Sequence, residues 1–192
     1  TTSGSCSLAV TLTSNTGAQA AVKFSSFPDP EYVNVSNINN TGPLLTILYG
    51  VGSNNTNINI SSARTLYWVG NSGSWNQIAH WSLTSGGAGG ECVPTALDNV
   101  VFDANSFTAT GRTLTLTAGA TCNTMTWAGA VNNPTLSMAV DLTVKGNSLV
   151  LANTMNVSGS GKMILDNGND INIDLGSGAK TLNGGLSFTA GT

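Results

Sequence analysis

The segment LSMAVDLTVKGNSLVLANTMNV, residues 136–157, sets the reading of the chain. Its apolar residues come in short alternating groups: Leu136, Met138 and Val140; Leu142 and Val144; Leu149 and Leu151; Met155 and Val157. Such alternation places every second side chain on one face of a strand, and no helical period competes with it. Gly146-Asn147 punctuates the groups as a turn would. Strands this short, with turns this close together, suit two architectures. One is a meander closing into a sandwich or barrel. The other is a β-solenoid in which each coil contributes two or three strands.

The same rhythm extends both ways. Downstream are Met163 and Leu165, then Ile171, Ile173 and Leu175, then Leu186 and Phe188. Upstream are Val101 and Phe102, Leu114 and Leu116, and Met125 and Trp127. The solenoid accounts for more of this pattern. Coils of about 20–28 residues fall in the range of stacked repeats. Leu, Ile, Val and Met would line one interior, and like residues at equivalent turns, Asn above all, would form hydrogen-bonded ladders between coils. The fold expected is all-β, a parallel β-helix-like solenoid over residues 108–192.

The first sixty residues also read as short strands: Leu8, Val10 and Leu12; Val22 and Phe24; Val33 and Val35; Leu45, Ile47 and Tyr49; Ile58 and Ile60. Phe27-Pro28-Asp29-Pro30 breaks the series, because proline supplies no ladder donor. The turn signals have hairpin-like spacing. Residues 1–66 are therefore expected to be β-rich, with a small β-sandwich preferred over preceding solenoid coils.

Between these halves, residues 67–107 hold three of the four tryptophans and the one histidine in a run too rich in Gly and Ser for a helix or a long strand. An open solenoid end is a hazard for strand addition, and this segment stands where an N-terminal cap would be needed. Trp68, Trp75, Trp81 and Trp127 would serve one of two roles. Exposed, they would form a platform for sugar rings; buried, they would plug the end, each covering about 150–250 Å². The plug is the expected role. His80 has no sequence signature of a triad or a zinc site around it and is expected to pack among the tryptophans. Asp98 and Asp103 flank a short strand; they would either hold Ca²⁺ through oxygen ligands or cap its turns, the latter being expected. The run Asp166-Asn167-Gly168-Asn169-Asp170 fails the EF-hand spacing. Beyond it, Ile171, Ile173 and Leu175 would point inward while Asp170, Asn172 and Asp174 point out. Gly159-Ser160-Gly161-Lys162 lacks the rest of a phosphate loop and reads as a turn.

Composition narrows function. Charged residues are 8% of 192, with Lys plus Arg 6 and Asp plus Glu 9, a net charge of −3. That balance lacks the basic footprint of nucleic-acid binding or of attachment to anionic membranes. The longest apolar stretch, Leu44 to Tyr49, falls far short of the roughly 20 residues of a membrane span. Fifteen scattered charges offer no clustered acids and bases, so a non-enzymatic protein is expected. A bridge between Cys92 and Cys122 would stabilise by about 3–4 kcal/mol on the chain-entropy model; two small buried thiols are the equal alternative. Cys6 has no obvious partner. Thr-Thr-Ser-Gly-Ser at the start lacks the marks of a secretory leader, and residues 186–192 break off inside a strand pattern, so the sequence is expected to be a piece of a longer chain.

The ordered set Tyr67-Trp68-Val69-Gly70, Gly73-Ser74-Trp75, His80-Trp81-Ser82, Ser85-Gly86-Gly87-Ala88-Gly89-Gly90, Val93-Pro94-Thr95 and Asp98-Asn99-Val100-Val101-Phe102-Asp103 resembles a module of very large secreted surface proteins of Bacteroidota, including gliding-motility and adhesin-like proteins exported by the type 9 secretion system. The likeness continues through Cys122 to Trp127 and Asn132-Asn133-Pro134, fades after Val144, and is absent from residues 1–66. A similar module occurs in phage tail proteins. The resemblance carries no catalytic residues or cofactor. It implies a secreted, cell-surface structural or adhesive module whose partners are other modules of the same long chain, surface polysaccharide, or secretion and anchoring proteins. A carbohydrate-binding module and a phage tail or fibre component are the alternatives.

Overall fold

A computed structural model describes residues 9–25, 29–61 and 63–189. Cys6, Leu8, Phe27 and Pro28 lie outside them. The chain is all-β, with parallel strands stacked as solenoid coils and no α-helix among the described residues. It divides after Ala63 into two compact units.

The first unit contains β1 (Val10–Thr13), β2 (Ala20–Val22), β3 (Val33–Ser36), β4 (Ile38–Asn40), β5 (Leu45–Leu48), β6 (Gly52–Ser53) and β7 (Ile58–Ser61). It is β-rich, as the alternation predicts, but it is not a sandwich. Its strands pair as β1-β3-β6, β2-β4 and β5-β7, every pair parallel. The reason lies in the turns. Asn37 and Asn54 adopt left-handed backbone, φ 57° and 51°, which asparagine tolerates. These corners send the chain onto the next face instead of folding it back as a hairpin. Asn54 Nδ2 donates to Asn37 Oδ1 at 2.7 Å, 17 residues away, so equivalent corners form the expected ladder. Val33, Val35, Ile38, Leu45 and Ile47 form the core.

The second unit has three faces. Its strands are β8 (Thr65–Trp68), β9 (Gly73–Ser74), β10 (Trp81–Ser82), β11 (Asn99–Val101), β12 (Thr113–Leu116), β13 (Ala120–Cys122), β14 (Met125–Thr126), β15 (Thr135–Met138), β16 (Leu142–Val144), β17 (Ser148–Val150), β18 (Asn156–Gly159), β19 (Met163–Asp166), β20 (Asn172–Asp174) and β21 (Leu186–Thr189). Sheet A runs β10-β8-β11-β14-β17-β20, sheet B β9-β12-β15-β18, and sheet C β13-β16-β19-β21. Successive coils keep register on every face. Val100, Met125, Leu149 and Ile173 form one column; Leu114, Leu136 and Val157 form another; Ala120, Leu142, Met163 and Leu186 form a third. These columns meet in one apolar core.

The Trp-rich stretch belongs to this second unit and is not a separate cap over residues 67–107. Leu66, Trp68 and Val100 are buried rungs of β8 and β11, so both ends of the stretch are regular coil. The excursion is residues 75–98, and it carries the capping function. It turns through a short 3₁₀ segment, Ile78–His80, and returns as β10, which pairs antiparallel with β8 through Trp81↔Trp68 and Ser82↔Tyr67. The edge of β8 opposite β11 is covered in this way.

Leu136 sits in the middle of the stack and is fully buried. Leu136→Ala is expected to lower unfolding free energy by about 2–5 kcal/mol. Thr143→Ala, on an outer face, is expected to stay within about 0.5 kcal/mol. Urea unfolding of both variants checks the inward-outward assignment.

Candidate functional site

The densest group of chemically distinctive side chains surrounds Trp81. Its indole stands edge-on to Trp68, centroids 5.2 Å apart at 83°, and to Trp75, 4.9 Å at 73°. Phe102 joins the group and stacks on Trp127 at 3.8 Å, and Phe107 lies parallel to Trp127 at 5.6 Å. Trp68 Nε1 donates to the Asn71 carbonyl at 2.7 Å and Trp81 Nε1 to the Trp75 carbonyl at 2.8 Å. Trp127 Nε1 is buried with no partner among the described residues.

Trp68, Trp81 and Trp127 have no exposed surface and Trp75 only 2%. The sugar platform is therefore not built, because stacking a pyranose needs an open ring face. The four indoles form the plug instead.

His80 lies flat on Trp68, centroids 4.6 Å apart at 10°. Its Nδ1 is 2.7 Å from the Val69 carbonyl, which can only accept, so Nδ1 carries the proton. The ring occupies the space over Gly73, where a Cβ would come within 2.1 Å of Nε2. The glycine cluster has a similar origin at Gly89, whose added Cβ would strike the Ala79 carbonyl oxygen at 1.8 Å. These two glycines let the loop close against the 3₁₀ segment.

Asp98 and Asp103 do not form a calcium site. Asp98 Oδ1 accepts from Arg64 N at 3.1 Å and Arg64 Nε at 2.8 Å. Its Oδ2 accepts from Arg64 Nη2 at 2.6 Å and from the Thr95 amide and hydroxyl at 2.8 and 2.9 Å. Both oxygens already face hydrogen-bond donors, the opposite of what a cation needs. Asp103 caps its own turn, accepting from Asn105 N at 2.9 Å. The two residues stand at opposite ends of the strand, roughly 16 Å apart at the extended rise of a strand. Arg64 gave no signal beyond being one of 6 basic residues placed beside an apolar strand.

Burial alone would raise the Asp98 pKa, but the hydrogen bonds from Arg64 and Thr95 together with the Arg64 charge outweigh it and hold the carboxyl below the usual range. Because the folded value lies below the unfolded one, this contribution is complete above the unfolded pKa and is lost as pH falls.

Cys122 is a free, fully buried thiol on the inward side of β13, and burial pushes its pKa far up. Cys92 is disulfide-bonded. The Cys92–Cys122 bridge is therefore overturned: Cys122 points into the coil core, in column with Val144 and Leu165.

The Asp170–Leu175 segment behaves as its alternation predicts, with Ile171, Ile173 and Leu175 against the core and Asp170, Asn172 and Asp174 exposed. Asp166 pairs with Lys145 of the preceding coil and accepts from Thr189 Oγ1 at 2.7 Å. Beside this pair lies an open polar cleft lined by Asn123, Lys145, Asn147, Asn167 and Asn169. Gly161 is packed under the next turn, where a Cβ would meet the Val140 carbonyl oxygen at 2.1 Å.

Trp81→Ala is expected to cost about 3–5 kcal/mol. Asp98→Asn removes the charge that Arg64 is buried against and is expected to cost about 3–5 kcal/mol near neutral pH. It should also flatten the fall in stability expected of the wild type below about pH 4. Denaturant titrations across pH, followed by tryptophan fluorescence, measure both effects. Alkylation should label Cys122 only after unfolding. No family model matches the chain, and searches of curated proteins and of solved structures find no match.

Proposed function

We propose that this chain is a non-enzymatic, extracellular structural and adhesive module of a large bacterial cell-surface or filament protein, giving stiff extension and surface attachment. The observation that carries the reading is the in-register pairing of successive coils within the second unit, closed at one edge by β10 and an aromatic plug. Such a stack resists bending through many parallel backbone bonds and needs few charges. The resemblance of residues 67–144 to secreted surface modules supports the location, and the buried tryptophans support a mechanical role over a glycan platform. Its partners in this reading are neighbouring modules of the same long chain, with surface polysaccharide or anchoring proteins beyond them. No helix of the described residues is long and apolar enough to cross a membrane.

Antibody labelling of intact source cells, followed by shear detachment of a strain lacking the coding region, tests the proposal. Surface label without permeabilisation and detachment at lower shear are expected. Label only after permeabilisation, or on released phage particles, would overturn it.

A further inference from the structure

Sheet B has an outer face unlike those of the other two sheets. In β12, β15 and β18 the residues alternating with the core are Thr113 and Thr115, Thr135 and Ser137, and Asn156 and Ser158. Register places Thr113, Thr135 and Asn156 in one column and Thr115, Ser137 and Ser158 in a second, which Ser74 of β9 extends. Neither column contains a charged or aromatic residue. The outer face of sheet A carries one column of Tyr67, Val101, Thr126, Val150 and Asp174, with an aromatic ring, two valines and a charge, and beside it Thr65, Asn99, Ser148 and Asn172, half of them asparagine, and sheet C offers one interrupted column, Thr121, Thr143, Ile164 and Ser187. The hydroxyls of Thr113, Thr115, Thr135, Ser137 and Ser158 bond to no other protein group among the described residues, whereas Ser74 Oγ, at the capped edge, is held by Asn76, the Thr117 hydroxyl and the Thr115 carbonyl.

We propose that this face binds ice. Its side chains repeat every ~4.7–4.9 Å along a column, the strand separation, and about 6.6 Å between columns, two residues along a strand. These two perpendicular repeats lie close to the oxygen spacings on a prism plane of hexagonal ice. Backbone pairing on both sides fixes the spacing before any water arrives. Ser and Thr lose little entropy on ordering, and threonine is stiff at χ1. Their free hydroxyls hydrogen-bond lattice waters while the γ-methyl groups of Thr113, Thr115 and Thr135 sit between them. A charge here would orient water around itself and break the lattice, and none is present. Crystalline polysaccharide would also offer a hydroxyl lattice, but stacking on it calls for exposed aromatic rings, and this face has none. The inference does not rest on cell-surface display, since an attached or a free module would hold ice alike.

Partition of the whole purified chain into a slowly growing ice hemisphere, with thermal hysteresis measured alongside, tests this. The wild type is expected to enrich in the ice and to shape crystals. Thr115→Lys and Thr135→Tyr, checked by circular dichroism and melting temperature, should each lose both effects, and Thr143→Lys on sheet C should keep them. Exclusion of the wild type from ice, to the level of an unrelated globular protein of similar size, overturns the proposal. So does retention by folded Thr115→Lys and Thr135→Tyr, equal loss in Thr143→Lys, or binding to insoluble cellulose or chitin without partition into ice.

Discussion

Parallel pairing of one coil with the next, in register on three faces, is the constraint to which the rest of the second unit answers. A parallel strand cannot meet its neighbour through a tight turn, so the chain must travel around the core before it pairs again. That journey creates the coil, encloses the apolar columns and fixes which residues face outward. It also leaves the first rung with one unpaired edge. β10 meets that need by reversing direction, and its Trp81 fills the space that a preceding coil's side chains would have occupied. The tryptophans cluster where they do because an end has more volume to fill than a rung does.

Few charges are available, and two ion pairs among the described residues join one coil to the next. Arg64 and Asp98 join the strand starts of the first two coils, where both the Arg64 backbone amide and its side chain bind the same carboxylate. A buried pair of this kind contributes little net stability over an apolar pair, but it disfavours any register in which the partners separate. Lys145 and Asp166 repeat the arrangement nearer the surface. Asn123 Nδ2 donates to Asn99 Oδ1, 24 residues away, and performs the same registering task without charge.

The alternation of Leu114, Leu136 and Leu149 with polar neighbours made the strands legible, and the inward-outward sense with them, because period two is a local property. The buried state of the tryptophans was legible too, since an exposed Gly-rich loop has nothing else to order it. Pairing direction in the first sixty residues was not. Hairpins and solenoid corners both use Asn and Gly, and only the left-handed backbone at Asn37 and Asn54, together with partners far along the chain, separates them. A Cys92–Cys122 bridge and two buried thiols stood as equal alternatives for a related reason: spacing along the chain does not say that Cys122 occupies an inward rung. Arg64 was passed over because a lone basic residue looks like surface until its carboxylate partner, 34 residues later, is brought beside it.

The pairing of Leu114 with Gly73 spans the long 75–98 excursion, yet the rung it forms is as regular as that between Leu114 and Leu136. Residues added to a corner thus change how much polypeptide a coil holds without changing how far the coil advances the stack. Each coil of about 22 residues occupies ~4.8 Å of axis while holding about 75 Å of extended chain. Pulled beyond its limit, the stack would release slack about fifteen-fold longer than the rod it came from.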